Sequence, residues 1–264
     1  MAEEPNRPAG QLPQLPLRPG RPAFSRKTRF VLLLVLLGVL VALIAGGVLL
    51  AHSSSKPRVV TIPKADRNAS AALIRAAERV NFHPPKLDGV GKVEDDPPSA
   101  AKILTKGLLP IGAQAPDFTL RTPTGTRVSL RDLRGKAVLL ELFATWCPHC
   151  NAEAPHLKQL YAKLPRSKVA FVSIDGNSDD APSVLAYHIW YGLPFPAVLD
   201  QAGRTVTYPE HGPIGPVSRK YGVSLWPTFY VVDPQGRVAW RSAGEQPDAL
   251  LERELRRAML RSVP

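Results

Sequence analysis

Apolar and polar positions follow distinct spacings along this chain, and each spacing predicts a different element. The longest apolar run, Phe30 to Ala51, holds 22 residues without a charge. As a helix rising about 1.5 Å per residue it reaches roughly 33 Å, enough for a hydrocarbon core of about 30 Å. It predicts a transmembrane anchor. Arg7, Arg18, Arg21, Arg26, Lys27 and Arg29 precede it, and only Lys56 and Arg58 closely follow. That bias places the N-terminus in the cytoplasm and everything after Ala51 outside it. A cleaved signal peptide would have a shorter leader, a shorter apolar run and a small-x-small site, where this chain has Leu49, Leu50 and Ala51.

Residues 1–29, with six prolines, read as a disordered basic tail. Residues 52–106 read as a tether. Within it Ala72, Leu73, Ala76, Ala77 and Val80 recur at helical spacing. They predict one short amphipathic helix, Arg67 to Val80, that packs on the domain, floats, or meets a partner. From residue 107 to 264 the pattern is that of one α/β domain. Phe118–Leu120 and Val128–Leu130 read as a hairpin across Thr122-Pro123-Thr124-Gly125. Ala137 to Phe143 is almost continuously apolar, as a buried central strand is. Helical spacing follows over Cys150–Leu164, a strand over Val169–Ile174 and a helix over Pro182–Tyr191. Ala197–Leu199, Thr228–Val232 and Arg237–Trp240 read as strands, the last two around Asp233-Pro234-Gln235-Gly236. A final helix begins at Pro247 and Asp248, runs to Arg261, and shows an apolar stripe of Leu251, Leu255 and Ala258.

Composition narrows the function classes. The 264 residues carry 34 Lys plus Arg against 22 Asp plus Glu, a net charge of +12. Residues 1–58 hold eight basic and two acidic side chains, so half of the excess flanks the apolar run. That distribution marks a membrane anchor rather than a nucleic-acid groove. Two cysteines exclude both a disulfide scaffold and a four-thiolate metal site. No cofactor is implied. His52, His83, His156, His188 and His211 are scattered and read as surface or packing residues.

Both cysteines lie in Cys147-Pro148-His149-Cys150, between a buried strand and a helix start. N–H groups at a helix N-terminus stabilise an anion, which favours a Cys147 thiolate. Cys150 lies within reach to close a small disulfide ring. The pair suits exchange in which Cys147 attacks and Cys150 resolves the mixed disulfide. A zinc site would need two further ligands, and no pair stands at that spacing. Glu141 sits inside the apolar strand, where burial would raise its pKa and fit it to take the Cys150 proton. A strand-edge glutamate reaching solvent is its plain alternative. An imidazolium at His149 would favour the reduced form and make the disulfide more oxidising.

Three blocks carry a resemblance: Ala115-Pro116-Asp117-Phe118-Thr119-Leu120, Leu130-Arg131-Asp132-Leu133-Arg134-Gly135-Lys136 and Phe143-Ala144-Thr145-Trp146-Cys147-Pro148-His149-Cys150. With Gly192 to Asp200 and Tyr221 to Gly236 they make residues 107–262 resemble the TlpA/ResA-like thioredoxins, membrane-anchored bacterial oxidoreductases of the AhpC/TSA and redoxin grouping. The resemblance implies an α/β thioredoxin fold with a four- or five-stranded mixed sheet and helices on both faces. It implies a cis-proline at Pro227 beside the cysteines, with Trp226, Pro227 and Thr228 as the substrate-binding loop. Pro155 matches the proline of the active-site helix, Trp146 the aromatic residue before the motif, and Glu153 a glutamate that tunes the cysteines.

The implied partners are extracytoplasmic protein thiols or disulfides and a membrane electron donor or acceptor. The implied place is the bacterial inner membrane, with a single span. The family leans towards reduction of specific partners, as in cytochrome c maturation. Pro148 and His149 instead resemble the strongly oxidising DsbA proteins, so an oxidase is the alternative. A thiol peroxidase would want threonine and proline where Ala144 and Leu140 stand. A copper-handling module built on Cys147, Cys150 and a histidine is a further alternative.

Overall fold

The computed structural model describes residues 64–86 and 105–261. The 1–29 tail, the Phe30–Ala51 run and His52 lie outside the described residues. Among those described, no helix is long and apolar enough to cross a membrane.

Residues 105–261 form a mixed α/β layer structure. The hairpin forms as β1 (Thr119–Arg121) and β2 (Arg127–Ser129). The apolar run is β3 (Ala137–Phe143), buried at every residue. It is followed by β4 (Val169–Asp175), β5 (Ala197–Leu199), β6 (Thr228–Val232) and β7 (Val238–Ala243). All seven join one sheet in the order β2-β1-β5-β4-β3-β6-β7, which corrects the expected four or five strands. The hairpin extends the sheet because Arg121 pairs with Leu199 of β5. β3 runs parallel to β4 and antiparallel to β6, so it is the central strand that the continuous apolar run predicts.

Alternation along β3 divides the core. Leu139 and Phe143 join a cluster with Cys147, Cys150, Ala154 and Leu157, whereas Val138, Leu140 and Leu142 face Leu130, Tyr221 and Tyr230. Glu141 is in phase with Leu139 and Phe143, so it points to the cysteine side of the sheet.

Five α-helices are present among the described residues. The first, α1 (Ala71–Val80), begins later than helical spacing suggested, because the Ser70 side chain accepts the Leu73 N–H at 3.1 Å and caps it. It packs beside α3 (Ala181–Tyr191) rather than floating. α2 (Pro148–Lys163) starts before Cys150: Cys147 caps it and Pro148 takes the first position, where a missing N–H is harmless. Pro155 lies inside α2. α4 (Pro216–Lys220) escaped the sequence reading because its cap is remote. Asp200 accepts the N–H groups of Val217 and Ser218 at 3.0 and 2.7 Å. α5 (Asp248–Met259) buries Leu251, Leu255 and Ala258, as its stripe predicts.

Residues 64–86 form part of this body. Phe82 sits among Tyr187, Trp190, Tyr191 and Tyr208, with ring centroids 5.0–6.4 Å away. The side chains of Asp66 and His188, each 1% exposed, meet at hydrogen-bond distance, with Oδ2 3.0 Å from Nδ1.

Candidate active site

The chemistry collects where β3 ends and α2 begins. The turn between them is fixed from three directions. Asp179 accepts the N–H and hydroxyl of Thr145 at 3.0 and 2.6 Å. The Asn151 amide donates to the carbonyls of Thr145 and Cys147 at 2.9 and 2.7 Å, and the Tyr187 hydroxyl donates to the Cys150 carbonyl at 3.0 Å. Such a turn holds the thiols at fixed positions with little room to relax.

Cys147 and Cys150 are both free thiols. The Cys147 sulfur accepts the Cys150 N–H at 3.5 Å, and its own S–H donates to the Trp226 carbonyl at 3.6 Å. Cys147 is lowered to about 7, chiefly because the Cys150 side chain hydrogen-bonds its sulfur. Burial opposes this, while the backbone N–H groups of Cys150 and His149 and the charge at His149 help it. Cys150, fully buried, moves the other way: burial pushes it well above the ordinary thiol range, and Cys147 and Glu141 add to the push. One thiol is therefore set up to ionise near neutrality and the other to stay protonated.

Glu141 is 2% exposed, which removes the solvent-reaching alternative. Its Oε2 accepts the Ser173 hydroxyl at 2.5 Å, across the β3–β4 register that pairs the two residues. Its Oε1 has no hydrogen-bond partner among the described residues. Burial raises this carboxyl to about 7, with Ser173 opposing and Cys147 adding to the rise. Glu153, on α2, is pushed up to about 9, first by burial and then by the charge on Glu141, with Glu245 and Asp248 contributing. Two proton-holding carboxyls thus lie behind the cysteines.

The opposite wall is the loop before β6. The Trp226–Pro227 peptide is cis, as the resemblance implies. The Trp226 indole lies over Gly176, where an added Cβ would stand 2.4 Å from its Cη2. Only glycine admits the ring at that place. On the other side the His211 ring stacks on Trp146, with centroids 3.7 Å apart and planes 22° apart.

Comparison with known proteins agrees with this geometry. Residues 111–241 match the AhpC/TSA family. A thioredoxin-like superfamily protein of solved structure, 24% identical, aligns over 57% of this chain and 99% of its own with a TM-score of 0.50, and it shows the fold. The thioredoxin-like protein YneN of Bacillus subtilis is 32% identical over 54% of this chain and 78% of its own. The thiol-disulfide oxidoreductase ResA of Bacillus thuringiensis is 31% identical over 58% of this chain and 80% of its own length. This chain belongs to the TlpA/ResA-like thioredoxin family.

As a TlpA/ResA-like protein it is a thiol–disulfide oxidoreductase with a thioredoxin fold. The structure brings Glu141, Trp146, Cys147, Pro148, His149, Cys150, Glu153, Trp226 and Pro227 to one region. Thr228 departs from its expected place at the substrate surface. It is fully buried and its hydroxyl donates to the Leu225 carbonyl at 2.7 Å, so its side chain shapes the cis-proline loop from inside. Among the described residues no group of three His, Cys, Asp or Glu is placed to hold a metal.

Three histidines in this TlpA/ResA-like protein have partners that no local spacing announces. His188 pairs with Asp66, His156 with Asp248 at 3.4 Å, and His149 with Glu245 at 2.7 Å. His149 and Glu245 are 96 positions apart in the chain, so the contact exists only after folding.

Proposed function

We propose that this oxidoreductase is tethered to the bacterial inner membrane by Phe30–Ala51 and reduces disulfides of specific extracytoplasmic partner proteins, as in cytochrome c maturation. The lean of the TlpA/ResA-like family carries the reductive direction, and the Cys147 thiol, lowered only to about 7, supports it. Strongly oxidising Cys-x-x-Cys sites ionise near about 3.5, and thioredoxin, a reductant, near about 7. The apolar span with its basic flank supports the tether, and the family supports protein thiols and disulfides as the partners.

In the proposed step the Cys147 thiolate attacks one sulfur of the partner disulfide. A Cys147–partner bond forms, the partner S–S bond breaks, and the departing thiolate takes a proton. Cys150 then gives its proton to the Glu141 carboxylate and attacks the Cys147 sulfur. The second partner thiolate leaves, and two electrons have passed from the dithiol to the partner. Glu153, itself raised by the Glu141 charge, stays protonated behind the cysteines, and a membrane electron donor restores the dithiol. Trp146, Pro148, Trp226 and Pro227 frame the groove that receives the partner.

Equilibration with glutathione tests the direction. The potential is expected to be more negative than about −200 mV, and a value near about −120 mV would establish the oxidase reading instead.

Glu141→Gln tests the proton step. The mixed disulfide formed by Cys147 should resolve about a hundredfold more slowly near neutral pH, the range of a lost general base. The same variant has a stability signature. The folded protein keeps the Glu141 proton up to about 7, while an exposed glutamate loses it near the ordinary 4.5. The stability this proton represents is fully present below the lower value and is lost as pH rises through the upper one. Within that window Glu141→Gln should remove a decline of roughly 1.4 kcal/mol per pH unit, read from urea midpoints. An unchanged slope would mean that Glu141 is not a buried proton holder.

A further inference from the structure

We propose that Glu245 is a positioning residue that acts on the Cys147 thiolate by holding the His149 ring. The inference rests on the exchange reading above and adds to it a residue from a distant loop.

Glu245 lies between β7 and α5, and its side chain is 9% exposed, against 51% for His149. Its Oε1 stands 2.7 Å from His149 Nδ1, the length of a charge-assisted hydrogen bond. With that acceptor present, Nδ1 is the ring's donor and Nε2 is the nitrogen left towards solvent and substrate. The Glu245 side chain is buried between β7 and α5, a place poor in water to solvate a carboxylate. A buried carboxylate needs a cation or a donor, and the His149 ring stands at hydrogen-bond distance to serve as one.

The loop is also rigid where it matters. The Gly244 N–H donates to the Pro227 carbonyl at 2.7 Å. The Gln246 amide donates to the carbonyls of Ala243, Gly244 and Glu245 at 3.3, 3.2 and 2.7 Å. Glu245 is therefore tied to the cis-proline loop whose Trp226 carbonyl receives the Cys147 S–H. His149 in turn reaches Cys147 through its backbone N–H and its charge, while Cys150 and Glu141 are the other titratable groups around that sulfur. A ring left free to rotate into solvent would lose the second of those contributions. One carboxylate thus fixes the one imidazole of the Cys-x-x-Cys motif.

The test is the pH profile of Cys147 alkylation by iodoacetamide, measured on the full chain and mapped to the residue. Glu245→Ala should move the profile upward by about half a unit. Thiolate would fall about threefold at mildly acidic pH, and higher nucleophilicity would offset part of this, so the rate drops about twofold. Glu245→Gln keeps an acceptor oxygen for Nδ1–H and should restore most of the rate. In a His149→Ala background the Glu245→Ala change should produce no upward movement. An equal upward shift with and without His149, a downward shift in the native background, or no shift at all would each overturn the proposal. The exchange reading fails separately: a native Cys147 alkylated no faster than an exposed thiol would sink it, whatever Glu245 does.

Discussion

Replacing Cys147 with serine is expected to lower disulfide exchange by at least about a thousandfold, while Cys150→Ser should keep the first attack and stop at the mixed disulfide. Loss of a nucleophile removes the covalent route itself, and what remains is background binding. The asymmetry between the two variants follows from their settings. Cys147 is held near 7 by donors aimed at its sulfur, and Cys150 is kept protonated by burial. The Cys150→Ser protein should therefore accumulate partner proteins joined through Cys147, recoverable from membranes on non-reducing gels and released by dithiothreitol. Both variants should fold, because a hydroxyl replaces a thiol of similar size. If Cys147→Ser kept its turnover, the assignment of attacking and resolving roles would be wrong. If Cys150→Ser trapped nothing, the partners would not be protein disulfides. The identity of the trapped proteins also tests the cytochrome c maturation reading directly.

Phe82→Ala is expected to destabilise the protein by about 3–4 kcal/mol, the range for deleting a buried aromatic ring. Phe82 is 5% exposed and makes edge or tilted contacts with Tyr187, Trp190, Tyr191 and Tyr208. Those rings belong to α3 and to the loop after β5, so the loss would loosen the attachment of residues 64–86 to the catalytic region. For a body of this size the melting temperature should fall by about 10 °C. The Asp66–His188 pair would be exposed to water in the same event, because it joins the same two parts. Limited proteolysis should then cut between residues 64 and 86 well before the sheet is attacked. A melting temperature within a degree or two of the native value would show that this segment does not hold the domain together.

Much of the site was legible along the chain. The Cys-x-x-Cys spacing, its place between an apolar run and a helical pattern, and the block order led to the redox chemistry and to the thioredoxin fold. The buried Glu141 was legible too, because a single acid in a seven-residue strand with apolar neighbours on both sides has nowhere to reach water. What local pattern missed was remote. Local pattern marked all seven strands, but that the hairpin joins the same sheet came from one cross-sheet pair, Arg121 with Leu199. Helix α4 is short and depends on Asp200 for its cap, so its own residues carry little signal. Thr228 looked like a groove residue because its neighbours are, yet the strand's alternation turns its hydroxyl inward.

The sequence by itself determined which groups the proposed exchange would use, because the proposed nucleophile, resolving thiol and buried acid are set by neighbours within a few residues and by one strand's periodicity. Only the tertiary structure decided how those groups are tuned. The Trp226 carbonyl on Cys147, the His211 ring on Trp146, the Asp179 anchor of Thr145 and the Glu245 carboxylate on His149 all come from separate segments of the chain. Electrostatic tuning depends on distances of a few ångströms, and residues tens of positions apart acquire such distances only when the sheet and helices close around them.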